Sequence, residues 1–95
     1  MTFQEINERI TATASKAQGM GVSIKFAFPD GIIVVKGDGS VSNENLEADC
    51  TISTTTETFS SVLTGDLNPM MAVMSGKIKI SGDMSVAMKL QNFLQ

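Results

Sequence analysis

The stretch Val22-Ser23-Ile24-Lys25-Phe26-Ala27-Phe28-Pro29-Asp30-Gly31-Ile32-Ile33-Val34-Val35-Lys36 decides the architecture. Its first half alternates. Val22, Ile24, Phe26 and Phe28 point one way, and Ser23, Lys25 and Ala27 the other, the period of two that a strand requires. Pro29-Asp30-Gly31 is a turn, because Pro fixes φ and Gly tolerates φ > 0. Residues 32–36 then return as a second strand. Ile32-Ile33-Val34-Val35 is apolar on both parities, so either face of this hairpin is able to meet the rest of the molecule.

Moving downstream, Gly37-Asp38-Gly39 is a second turn that leads into a short strand over 40–42. Asn43-Glu44-Asn45 is polar loop. Ala48, Cys50, Ile52 and Thr54 alternate with Asp49, Thr51 and Ser53, which predicts a fourth strand over 48–54. Helical signals follow. Thr54-Thr55-Thr56-Glu57 offers a capping box, Phe59, Val62 and Leu63 form one apolar face, and Gly65 stops the helix. Asn68-Pro69 starts another, with Asn as cap and Pro at the first helical position. Lys77-Ile78-Lys79-Ile80 reads as a fifth strand, and Gly82-Asp83 breaks it and caps a last helix over 84–94.

Upstream of the hairpin, Thr2 and Glu5 fit a capping box. Phe3, Ile6, Ile10, Ala14 and Ala17 recur at helical spacing until Gly19 and Gly21. The charges on the polar face of this helix (Glu5, Glu8, Arg9, Lys16) cancel, which favours a helix packed on its own domain over a basic membrane-surface helix. The order α-β-β-β-β-α-α-β-α predicts one α+β domain over residues 1–95, with no linker, repeat or low-complexity tract.

Composition narrows the function. The 95 residues include no His, no Trp and no Tyr, one Cys, five Phe and seven Met. Charged residues are 18%, below the roughly 25% of an average domain. Mean hydropathy is +0.12. Without His there is no Ser-His-Asp triad and no His-ligated zinc, and one Cys makes no disulfide framework. A net charge of −3 and a pI of about 4.7 lack the basic footprint of a nucleic-acid binder. No apolar run approaches the roughly 20 residues of a membrane span. Met1-Thr2-Phe3-Gln4-Glu5 is not a secretory signal, and a lone thiol suits the cytosol or an organelle interior.

Little here suggests catalysis. The carboxylates are scattered over turns and caps, and none is paired for acid–base work. Gly37-Asp38-Gly39-Ser40 lacks the later Lys of a phosphate loop and the spacing of a calcium loop, and reads as a hairpin turn. Cys50 lies on the apolar parity of its strand, as a buried and inert thiol. Lys77 and Lys79 share a strand face. The simpler reading is a solvated face that blunts an edge strand; the alternative is a foothold on anionic membranes. The last third stands out. Five of the seven Met fall between Met70 and Met88, and residues 84–94 carry an apolar arc too wide for a stripe. Such an arc suits a core, an oligomer interface or the wall of a cavity for an apolar ligand.

Residues 48–91 resemble the sterol carrier protein-2 family. The resemblance runs through Ala48-Asp49-Cys50-Thr51-Ile52, Leu63-Thr64-Gly65, Asn68-Pro69, Gly76-Lys77-Ile78-Lys79-Ile80-Ser81-Gly82, Met84 and Ala87-Met88-Lys89-Leu90-Gln91, in order and without a gap. Upstream, Gly39-Ser40-Val41 is similar to the family's turn into a short strand. The resemblance implies a five-stranded mixed β-sheet covered on one face by helices, with an apolar lipid tunnel between them. It implies an intracellular carrier of fatty acids, fatty acyl-CoA, phospholipids or sterols that does no covalent chemistry. Two features depart from the family. The Gln that often follows Asn-Pro is Met70 here, which makes the tunnel more apolar, and the peroxisomal SKL-type tail of many members is replaced by Asn92-Phe93-Leu94-Gln95.

The expected lining combines Ile33, Val35 and Ile52 from the sheet with Phe59, Val62, Leu63, Met70, Met71 and Met74 from the middle helices. Met84, Met88 and Phe93 complete it from the last helix. The expectation is a monomeric lipid-binding and lipid-transfer protein, cytoplasmic or, as the resemblance implies, peroxisomal, with no cofactor, no metal and no nucleic-acid partner. It meets membranes only transiently and opens by a shift of the last helix. The competing expectation is an interaction module that dimerises through that helix.

Overall fold

The structure is a computed structural model and describes residues 2–14, 21–83 and 85. The hairpin forms as β1 (Ile24–Phe28) and β2 (Gly31–Val35), paired antiparallel from Ile24 opposite Val35 to Phe28 opposite Gly31. Its loop is the dipeptide Pro29-Asp30. Gly31 closes this turn without positive φ. A Cβ there would lie 2.7 Å from Cζ of Phe3, so glycine is needed to let an aromatic ring approach the backbone. The second turn does use the left-handed region. Gly39 has φ +89°, and its N–H donates to the Lys36 carbonyl at 3.0 Å. The Asp38 carboxylate accepts from the Ser40 N–H at 2.9 Å and from its hydroxyl at 2.6 Å.

The strand β3 (Val41–Ser42) pairs with β2, β4 (Cys50–Ser53) with β1, and β5 (Lys79–Gly82) with β4. The sheet order is β3-β2-β1-β4-β5. Only β1 and β4 run parallel, so the sheet is mixed. β5 begins at Lys79 rather than Lys77 and runs through Gly82, which pairs with Cys50. Gly82 does so at φ +100°, where a Cβ would collide with the Asp49 carbonyl. The end of the sheet is tied by Asp49. Its carboxylate accepts from the Ser23 N–H at 2.8 Å, and its carbonyl accepts from the Asp83 N–H at 3.1 Å.

Register settles the parity. Ile24, Phe26 and Phe28 share a face with Ile33, Val35, Cys50 and Ile52, and all seven are buried. Val34 is on the opposite face and is buried as well, at 1% exposed. Lys25, opposite Val34 in the register, donates from Nζ to Asn45 Oδ1 at 2.9 Å.

Among the described residues, three helices cover the inner face. α1 (Phe3–Thr13) starts at the expected capping box: the Glu5 N–H donates to Thr2 Oγ1 at 3.2 Å, and the Thr2 N–H donates to Glu5 Oε1 at 3.1 Å. Ile6 and Ile10, with Ala14 just beyond, face the sheet. α2 (Thr56–Leu63) starts one residue later than expected, because its cap is Thr55, whose Oγ1 accepts from the Thr58 N–H at 3.1 Å. The Thr54 hydroxyl is committed elsewhere, donating to the Lys77 carbonyl at 3.0 Å. α3 (Pro69–Met74) is capped by Asn68 as expected, its Oδ1 accepting from the Met70 N–H at 2.9 Å. The expected continuation of the first helix to Ala17, and the last helix over 84–94 with its dimer interface, lie outside the described residues.

Candidate functional site

The space between sheet and helices is filled from both sides by apolar side chains. Phe59 of α2 is the pivot. Its ring meets Phe26 and Phe28 edge-to-face, both at centroid distances of 5.4 Å, and Phe28 in turn meets Phe3 at 6.0 Å. Edge-to-face pairs set the positive rim of one ring against the negative face of the next. Ile6, Ile10, Ile24, Ile33, Ile52 and Ala72 pack around them. Partly exposed side chains pack against the layer at its margins, Val62, Leu63, Leu67, Val73 and Ile80 on the α2–α3–β5 side and Phe3, Val22 and Val41 elsewhere.

The expected lining residues fall into three groups. Ile33, Val35, Ile52 and Phe59 are buried in this layer, at 0–1% exposed. Val62 and Leu63 belong to its half-buried margin. Met70, Met71 and Met74 stand outside it, exposed at 53%, 61% and 80%, and α3 reaches the layer through Ala72 instead. The reason is helical phase: Met70, Met71 and Met74 are three and four residues apart and share one face, with Ala72 on the other. Met84, Met88 and Phe93 lie outside the described residues. Ile24, Phe26, Ala72 and Ile78, which the expected lining did not include, are buried in the same layer. The alternation of 22–28 marked the first two, whereas Ala72 was hidden by the larger side chains around it.

The electrostatics are plain. Among the described residues, the buried polar ones are Thr54 and Ser60. Both hydroxyls are satisfied, Thr54 as above and Ser60 by donating to the Thr56 carbonyl at 2.6 Å. Unmet hydrogen-bonding capacity inside an apolar layer would be destabilising; among the described residues no buried side-chain polar atom lacks a partner. Burial, and secondarily the Asp83 carboxylate, push the Cys50 thiol up, which keeps it protonated and unreactive at neutral pH. The lowered carboxyls are local turn and cap features: hydrogen bonds from Thr2 lower Glu5, and those from Ser40 lower Asp38. Among the described residues no group of three or more His, Cys, Asp and Glu is placed to hold a metal ion, and no helix is long and apolar enough to cross a membrane.

A mixed five-stranded sheet, roofed on one face by helices over an apolar layer that holds no charged group among the described residues, defines a class: α+β modules whose interior is equipped to exclude water. The family model for the SCP-2 sterol transfer family matches residues 3–95. This chain belongs to that family. Sterol carrier protein 2 of Homo sapiens is 35% identical over 103 aligned residues, covering 97% of this chain and 19% of the human protein. Hydroxysteroid dehydrogenase-like protein 2 of Homo sapiens is 46% identical over 48 residues, half of this chain and 12% of that protein. This chain thus spans about a fifth of the length of the sterol carrier proteins it matches. The solution structure of palmitated SCP2L2 from Aedes aegypti has the same fold, with a TM-score of 0.80 at 23% identity, covering 100% of this chain and 96% of that one.

Proposed function

We propose that this domain is a lipid carrier that holds the apolar part of one lipid between the sheet and the helices. The observation that carries the reading is the chemistry of that layer. It is lined by aliphatic and aromatic side chains from every described helix and carries no charged group among the described residues. Such a layer offers burial and nothing else. Removing an acyl chain from water gains about 0.8 kcal/mol per methylene, so about ten buried methylenes supply roughly 8 kcal/mol, the scale of micromolar binding. Family membership supports the same reading, and the palmitated state of the Aedes aegypti relative favours a fatty acyl ligand. Sterols and fatty acyl-CoA are the other candidates.

The proposed lining is Ile33, Val35, Ile52 and Phe59, with Val62 and Leu63 at the margin and Met84, Met88 and Phe93 from the last segment. Entry is by the α2–α3–β5 margin. Membership of the SCP-2 sterol transfer family supports a carrier over an enzyme. Fluorescence titration of delipidated protein with a fatty acid, a fatty acyl-CoA and a sterol tests this. Saturable one-to-one binding of at least one ligand, weakened by Leu63→Ser, is the expected outcome. Failure to bind any of the three removes the proposal.

A further inference from the structure

We propose that the outward face of α3 is a reversible oxidation site, at which Met70, Met71 and Met74 take oxygen from peroxides while the fold stays intact. The chain has no His, no Trp and no Tyr, so its oxidisable side chains are seven methionines and Cys50. The structure sorts these sulfurs. Cys50 is 0% exposed, and burial, with the Asp83 carboxylate second, pushes its thiol up. Thiol oxidation proceeds through the thiolate, so this sulfur is withheld twice, by access and by protonation. Among the described residues, the exposed large hydrophobic ones are Met70, Met71 and Met74, at 53%, 61% and 80%. A thioether needs no deprotonation to react, so for these three access is the whole requirement.

The helix is built to change polarity without moving. The three methionines share one face, and the other face is anchored by buried Ala72. Backbone ties hold both ends. Asn68 Oδ1 accepts from the Met70 N–H at 2.9 Å, and the Ala72 carbonyl accepts from the N–H groups of Lys77 and Ile78, at 2.9 and 3.2 Å. None of these ties runs through a methionine side chain. Methionine sulfoxide is polar where the thioether is apolar. Inside the apolar layer that change would be destabilising, whereas on a face already in water it is accepted. In the reaction the thioether sulfur donates an electron pair to one peroxide oxygen. The S–O bond forms as the O–O bond breaks. The sulfur is oxidised by two electrons, and the other oxygen takes a proton and leaves as water or an alcohol. Methionine sulfoxide reductases, one for each sulfoxide epimer, return the thioether with a dithiol as reductant. The face is thus a two-electron sink for peroxides and a switch of the α3 surface from apolar to polar. It uses exposed sulfurs alone, so it stands independently of an internal lipid.

Hydrogen peroxide is the probe. At neutral pH the purified protein is expected to gain three oxygen atoms in its first phase of oxidation. Peptide mapping is expected to place them on α3 in the order Met74, Met71, Met70 that exposure sets. A thiol reagent added after unfolding still titrates Cys50. Circular dichroism melts of the oxidised and the untreated protein coincide, and the two reductases with a dithiol remove the oxygens. Met70→Leu with Met71→Leu and Met74→Leu is expected to lose the three-oxygen phase and to keep the melt. Oxidation of Cys50 ahead of α3, a melt lost with the first oxygen, a first phase unchanged in the triple leucine variant, or sulfoxides that the reductases leave in place would each overturn the proposal.

Discussion

Phe59 joins α2 to β1 through two rings, and no other ring among the described residues touches two of the sheet's phenylalanines. Truncation to alanine removes both edge-to-face contacts and the apolar volume of the ring. Phe59→Ala is expected to destabilise by about 3–5 kcal/mol in urea unfolding, and Phe59→Leu by much less, since most of the apolar volume stays. Gly31 gives a second residue-scale expectation. A methyl group there overpacks against Phe3, so Gly31→Ala is expected to lose about 1–2 kcal/mol, and Phe3→Leu to recover part of it in a double-mutant cycle. The sequence marked both positions, one as core and one as turn. It could not show why Gly31 is glycine, because the reason is a ring from a helix 28 positions upstream. The exposure of Met70, Met71 and Met74 was hidden in the same way. Apolar side chains read alike whether they face a core or leave it, and only helical phase relative to Ala72 separates the two.

At the scale of elements, local chemistry was the most legible. The Thr2–Glu5 box and the Asn68-Pro69 start form as their side chains dictate. The start of α2 slips by one residue because Thr54, Thr55 and Thr56 are equivalent in sequence, and the choice among them falls to the distant Lys77 carbonyl. Thr55→Ala is expected to lose about 1 kcal/mol as a helix cap. Thr54→Ala is expected to lose about 1–3 kcal/mol, because it leaves a buried-side carbonyl without its donor; thermal melts of the two variants separate the roles. The capping box also makes a pH prediction. Hydrogen bonds from Thr2 lower Glu5 below its ordinary value of 4.5. A group depressed in the folded state stabilises above its unfolded value, and that contribution is lost as pH falls through the folded one. Stability is therefore expected to decline from about pH 4.5 downward, with a smaller decline in Glu5→Gln, as acid titration followed by circular dichroism would record.

For the molecule as a whole, the five strands and the order of the elements follow from period-two and helical spacing, whereas their mixed pairing and the helices on one face were implied by the family resemblance. The parity of the hairpin did not follow, because Ile32-Ile33-Val34-Val35 is apolar on both sides and only the register with β1 separates them. The apolar layer between sheet and helices is where the functional reading rests. A ligand bound there stabilises only the folded state, so at about a hundredfold excess over its Kd it is expected to add about 2.7 kcal/mol. For a domain this size that is a rise in Tm of roughly 10–20 °C. The most direct test of the carrier reading is native mass spectrometry of the protein as purified. A monomer with an added mass equal to one lipid, lost on delipidation and regained with a fatty acid, is the predicted spectrum. A bare mass that takes up no fatty acid, fatty acyl-CoA or sterol would contradict it.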